Sequence, residues 1–357
     1  MRCCMNNVLI VTFWKARNYG AFLQCYALQK KITGSKVLAY KARSIALNVE
    51  RKKRYCYLWP FLAPYWIVKN FVNQMREPTF SEWKQIPSQP CKIVRNTLEL
   101  SSKYDSVVVG SDQIWNSKFV LGEENVYFAN FISNDSIKLS YAASLGQSSW
   151  PKEFVSKAVS LLKNFKFVSV REESSVKYLH SVGLENVMCV CDPTILHDGD
   201  FYRKEFNVKR ENRIFSFVYT IREKVPESLK KILLPESVKC TLDGYKIPSV
   251  SEWLSYIDNA KFVVTDSFHC CVFCLLFHKP FMVLLTYGEK SGMNERFLSL
   301  LEKTGLDTRI LSLTDSYESA LSKLNAPIDW PSVDDVLHNW RKESFAWLQE
   351  NLTLSNE

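Results

Sequence analysis

One order recurs along this chain and limits what it can fold into: a short β-branched or apolar run, then a turn of small or charged residues, then a helix-like segment. Residues 8–13 lead into the polar loop 15–19 and a helix from about Gly20, with Ala21, Cys25, Leu28 and Ile32 on one face. Residues 106–109 end in Gly110, Ser111, Asp112 and Gln113; residues 138–142 end in Ser144, Leu145 and Gly146. Residues 167–170 end in Arg171, Glu172 and Glu173, and residues 187–190 run into Asp192, Pro193 and Thr194. That is the order expected of parallel strands buried on both faces. Such turns fall on the carboxyl edge of one sheet, where α/β proteins bind ligands.

A chain of 357 residues, 46% hydrophobic, is long for one core and suggests two domains. Asp192–Pro193 marks an exit, since proline ends the strand and restricts the residue before it. The reading is a first domain over 1–195, a second over 196–330, and a C-terminal helix over 331–357. Ser332 and Asp335 open that helix as a capping box. In the second domain, strands are expected over 214–220 and 238–242 and a helix over 251–259.

Residues 44–103 break the rhythm. Arg51, Lys52, Lys53 and Arg54 precede Tyr55, Tyr57, Trp59, Phe61, Tyr65 and Trp66, with Pro60 and Pro64 among them. This insert reads as a lid that buries its own aromatics, with peripheral contact at an anionic membrane through 51–66 as the other reading. The net charge of +9 is spread along the chain and fits an anionic substrate or a membrane surface as readily as nucleic acid, so no nucleic-acid partner is assigned. Eleven cysteines scattered through apolar segments suit a reducing cytoplasm. No signal peptide is evident, and the longest apolar run, 270–277, is far short of the roughly 20 residues of a membrane span.

Residues 261–285, KFVVTDSFHCCVFCLLFHKPFMVLL, read as a buried strand, a polar turn holding Asp266, Ser267 and His269, an apolar helix and a second buried strand. His269 stands where a helix N-terminus favours anions. Cys271 and Cys274 form a CxxC near His269 and His278, but no second such pair completes a zinc ligand set, so no metal is assigned.

Taken in order, NYGAFLQCYALQKKI (18–32), YDSVVVGSDQIWN (104–116), YAASLG (141–146), SVREESSVKYL (169–179), CDPTIL (191–196), VVTDSFH (263–269), NERF (294–297) and GLDTR (305–309) resemble the polysaccharide pyruvyl transferase family. The resemblance implies an α/β fold of two Rossmann-like domains facing a cleft, a GT-B-like architecture. It implies transfer of a pyruvyl group from phosphoenolpyruvate to a sugar, forming a ketal on a cell-surface polysaccharide or its precursor. The acceptor would be a lipid-linked or nucleotide-linked sugar, and the donor is a substrate, with no cofactor expected. A cytoplasmic enzyme, peripheral at the inner face of the membrane if residues 51–66 touch it, follows from the same reading.

Phosphoenolpyruvate carries a phosphate and a carboxylate, and arginine forks fit either group. Ketal formation also needs a proton delivered to the methylene carbon and protons taken from two hydroxyls, for which histidine is suited. His269 is the expected acid/base, by its turn and by its match to the family's histidine. Arg171 and Arg296 are the expected anion clamps, and Asp112 orients a sugar hydroxyl or accepts its proton. Asn18, Tyr19, Gly20, Ser111, Gln113, Ser144, Gly146, Ser267 and Asn294 are the remaining expected substrate contacts. One departure stands out: many family members carry an arginine two residues before the histidine, where this chain has Ser267. Two other readings stay open on these residues, a GT-B-type glycosyltransferase using a nucleotide sugar and a catalytically silent sugar-binding protein.

Overall fold

A computed structural model describes residues 7–40, 80–90, 103–133, 136–210, 212–223, 225–242, 247–287, 292, 294–312 and 314–353. The basic and aromatic cluster at 51–66 lies outside the described residues, as does most of the insert.

The first sheet contains β1 (Val8–Val11), β2 (Lys36–Ala39), β3 (Ser88–Pro90), β4 (Ser106–Val109) and β5 (Ile137–Ser140), in the order β3-β2-β1-β4-β5. Every pairing is parallel. β6 (Val168–Val170) and β7 (Val187–Cys189) form a parallel pair, and bridges at Leu139–Phe167 and Ala143–Val170 set β6 beside the end of β5. The second sheet contains β8 (Ser216–Tyr219), β9 (Ser237–Cys240), β10 (Phe262–Thr265), β11 (Phe281–Leu284) and β12 (Ile310–Leu311), in the order β12-β11-β10-β8-β9, again parallel. Both sheets are doubly wound, and each reverses its order at one place: between β1 and β4 in the first, between β8 and β10 in the second. Ligands of such sheets sit beyond the carboxyl ends of the strands at that reversal. The α/β architecture expected from the sequence, two Rossmann-like sheets in a GT-B-like layout, is therefore present.

Helices α1 (Tyr19–Lys31), α2 (Lys152–Leu162), α3 (Glu173–Ser181), α4 (Val250–Asn259), α5 (Phe268–Leu276), α6 (Glu295–Thr304) and α7 (Trp330–Thr353) cover these sheets. α5 is apolar on every side and every residue of it is buried, as an all-round hydrophobic helix must be. Its Cys270, Cys271 and Cys274 are core side chains with free thiols. Aromatic packing joins the two sheets: Tyr19 stacks on Trp253 with ring centroids 4.7 Å apart and planes 9° from parallel.

α7 returns from the second sheet to the first. Ser344 Oγ accepts the Cys191 N–H at 2.9 Å, and Arg341 Nε donates to the Ile195 carbonyl at 2.6 Å. The cap of α7 is not the one expected. The helix starts at Trp330, and Asp329 Oδ1 accepts the Ser332 N–H at 3.2 Å. Pro331 fits the first turn, where a backbone N–H would have no helical partner. The capping box lies elsewhere, at the start of α4, where Ser249 and Glu252 cap reciprocally. Residues 80–90 add the edge strand β3 and bury Trp83 against Trp14 and Phe22. Among the described residues no helix is long and apolar enough to cross a membrane.

Candidate active site

The residue at the centre of the site is one the sequence placed in an edge turn and at a domain exit, but not among the expected site residues. Asp192 is fully buried, and its carboxylate gathers groups from both sheets. Oδ1 accepts the Thr194 N–H (2.9 Å) and hydroxyl (2.6 Å); Oδ2 accepts Arg171 Nη1 at 2.6 Å and Ser111 Oγ at 3.4 Å. His269 Nε2, from the first turn of α5, lies 3.5 Å from the same Oδ2. That is an ion-pair distance without a formed hydrogen bond, and Nε2 keeps an open valence in a buried place. Burial alone would raise the Asp192 carboxyl; His269, Arg171 and Thr194 outweigh it and hold the group below the usual carboxylate range.

Arg171 is also buried. Its Nε donates to Glu172 Oε1 at 3.1 Å, its guanidinium lies 4.5 Å from the Phe268 ring centroid, and Nη2 has no partner. Burial disfavours its charge, but Glu172, Asp192 and Asp112 more than compensate, and the group stays cationic. Arg296 approaches Phe268 at 5.7 Å, and its buried Nε is likewise without a partner. Here compensation by Asp112 and Glu172 is only partial: burial, then the charges of Arg171 and Arg222, bring its pKa down to about 10. Ser144, Gly146, Glu172, Ser175 and Glu295 line a cleft beside it.

Arginine keeps its proton at neutral pH, so holding Arg296 in this place costs the fold stability. Arg296→Met is therefore expected to stabilise the protein by about 1 kcal/mol or more in urea unfolding, while removing a cation from the site. A lower midpoint than wild type would mark Arg296 as a structural cation instead.

The other expected contacts divide into two groups. Ser111 and Gly20 reach the centre. A Cβ on Gly20 would stand 1.9 Å from His269 Nδ1, so only glycine leaves room for the imidazole at the start of α1. Ser144 is one step away, donating to Glu172 Oε1 at 2.7 Å. Asp112, at a left-handed φ of 66°, is close enough for its charge to act on both Arg171 and Arg296.

The rest have structural partners. Asn18 caps α1 through the Ala21 N–H, and the Tyr19 hydroxyl donates to the Pro248 carbonyl at 2.7 Å. Gln113 Oε1 accepts from Asn116, beside Gly146, whose φ is 65°. Ser267 Oγ caps α5 through the Cys270 N–H, and the Asn294 amide clamps both backbone groups of Thr286. Arg309 of the GLDTR motif donates to the carbonyls of Lys323, Leu324 and Ala326.

Beyond Asp192, the sequence reading missed Glu172, Phe268 and Gln24, which holds the Ser111 turn by accepting its N–H at 3.3 Å. The CDPTIL motif was the available signal for Asp192, since an aspartate before proline at a strand's carboxyl end sits on the ligand edge.

The sequence profile of the polysaccharide pyruvyl transferase family matches residues 18–287, about three-quarters of the chain, and spans Gly20, Arg171, Asp192 and His269. The chain belongs to the polysaccharide pyruvyl transferase family. It is a member of a group of polysaccharide-modifying transferases, and the matched region holds Asp192, Arg171, Ser111 and His269, while Asn294, Glu295 and Arg296 follow it. No curated protein matches the chain in sequence. Among solved structures it is similar to the UDP-GlcNAc 2-epimerase of Neisseria meningitidis bound to UDP-GlcNAc, at 12% identity over 97% of this chain and 99% of that one, with a TM-score of 0.49. It is similar to the UDP-N-acetylglucosamine 2-epimerase of Rickettsia bellii at 12% identity over 98% and 97% of the two chains, also with a TM-score of 0.49.

Proposed function

We propose that this pyruvyl transferase family member moves a pyruvyl group from phosphoenolpyruvate to two hydroxyls of a sugar in a cell-surface polysaccharide or its precursor. The observation that carries the reading is the set of three buried nitrogens around Phe268 and Asp192 without hydrogen-bond partners: Arg171 Nη2, Arg296 Nε and His269 Nε2. Buried donors of this kind are costly unless something completes them, and a small dianionic or trianionic substrate with a transferable proton site does so.

In the reaction, one sugar oxygen bonds to C2 of the donor as C3 gains a proton and becomes a methyl group. The C2–O bond to phosphate then breaks, and the second sugar oxygen bonds to C2. Of the two hydroxyl protons, one is balanced by the new C–H bond and the other leaves with the phosphate. His269 delivers and collects protons. Asp192 keeps the imidazole oriented and stabilises its cationic form. Arg171 and Arg296 hold the donor's anionic groups, and Asp112 faces the acceptor hydroxyl.

Incubation with phosphoenolpyruvate and a panel of sugar acceptors is expected to release inorganic phosphate and to give one acceptor the mass of a pyruvyl ketal. Release of a nucleoside diphosphate from a nucleotide sugar, with no phosphate from phosphoenolpyruvate, would favour a glycosyltransferase.

A further inference from the structure

The loop after β8 brings one more cation to this edge. Arg222 follows the carboxyl end of β8, and His269 follows that of β10; these neighbouring strands are where the second sheet reverses its order. Three consecutive N–H groups, of Ile221, Arg222 and Glu223, donate to the Asp266 carboxylate at 2.6, 2.6 and 2.8 Å. Asp266 directly precedes Ser267, so the Arg222 backbone is fixed beside position 267.

The same bonds satisfy Asp266 with backbone donors and leave the Arg222 guanidinium to another use. Among the described residues that half-buried guanidinium has no carboxylate or hydrogen-bond partner. Its charge reaches Arg296.

A charge count shows the need for it. A phosphate brings roughly −1.5 to −2 at neutral pH, and the donor carboxylate adds one more. Arg171 is already shared between Asp192 and Glu172, and Ser267 is an uncharged helix cap. Arg296 alone leaves the donor under-neutralised.

We infer that Arg222 supplies, from the loop after β8, the cationic group that Ser267 cannot, and that with Arg296 it receives the donor's phosphate while Arg171 faces the carboxylate. The inference rests on the pyruvyl-transfer reading. It makes Arg222 a donor-binding residue whose position in the sequence differs from the family's arginine but whose place in the fold is adjacent.

The test is calorimetric titration of the full chain with phosphoenolpyruvate and, separately, with inorganic phosphate. Arg222→Ala should weaken phosphoenolpyruvate binding by about 30-fold, the worth of a charge-assisted contact. KM for phosphoenolpyruvate should rise in parallel while kcat changes less. Arg222→Lys should recover part of the loss, and Arg222→Ala combined with Ser267→Arg most of it. Inorganic phosphate should follow the same ranking. Wild-type affinity in Arg222→Ala would overturn the role of Arg222 and leave pyruvyl transfer standing, as would an arginine at 267 that recovers nothing. Failure of the wild-type protein to bind phosphoenolpyruvate would instead remove the reading beneath it.

Discussion

Replacing His269 with alanine is expected to lower kcat by about 10²–10⁴-fold, the usual contribution of a positioned acid/base. KM for phosphoenolpyruvate should change by less than about tenfold, because the expected anion contacts belong to arginines. The imidazole is held in one orientation: Gly20 lies against its Nδ1 side and Asp192 Oδ2 stands 3.5 Å from Nε2. The imidazole therefore has one fixed orientation, and its loss has no neighbouring histidine to cover it among the described residues. Phosphate release at saturating donor and acceptor gives kcat directly. Thermal melting separates this effect from misfolding, since α5 is a core helix. A fall in kcat of less than tenfold with a native melting curve would remove His269 from the chemistry.

How far the sequence foretold this arrangement depended on what each residue answers to. The sheets were legible because apolar runs such as 106–109 and 262–265 have no other stable place than between helices, and both are strands with those bounds. Gly305, after the last apolar residue of α6, ends that helix in the left-handed conformation. The α7 cap was misjudged because two acceptors, Asp329 and Ser332, compete within three residues, and Pro331 decides between them through a missing N–H. In the site, His269 and Arg171 were legible from the turns that carry them. Asp192 was legible only as a turn residue on the ligand edge, because its role as the meeting point of residues 111, 171 and 269 is long-range and no local pattern encodes it. The same is true of Tyr19, whose hydroxyl reaches Pro248 across more than 200 residues of sequence.

Asp192→Asn tests that meeting point most severely. The amide cannot serve all the carboxylate's partners. If its oxygen accepts from Thr194, its NH2 faces Arg171 Nη1, donor against donor; turned round, the NH2 faces the Thr194 N–H instead. Either way a buried guanidinium loses its counter-charge, and breaking one side of a buried pair costs about 3–5 kcal/mol. Activity should fall by at least as much as the imidazolium owes to its carboxylate, about 10²-fold in kcat.

The pH dependence distinguishes a charge effect from a lost shape. The folded Asp192 carboxyl titrates below its unfolded value of about 3.9. Its stabilisation is thus complete above that value and is lost as pH falls through the lower, folded one. The gap in urea midpoints between wild type and Asp192→Asn that this carboxyl contributes should therefore be constant down to about pH 5 and narrow between about pH 4 and pH 3, closing fully only below the folded value. Carboxylates remote from Asp192 and Arg171 contribute equally to both proteins and cancel in the difference. A gap that stays constant to pH 3 would mean that Asp192 acts there by packing and hydrogen-bond geometry alone, and the charge coupling of Arg171, Asp192 and His269 would have to be given up.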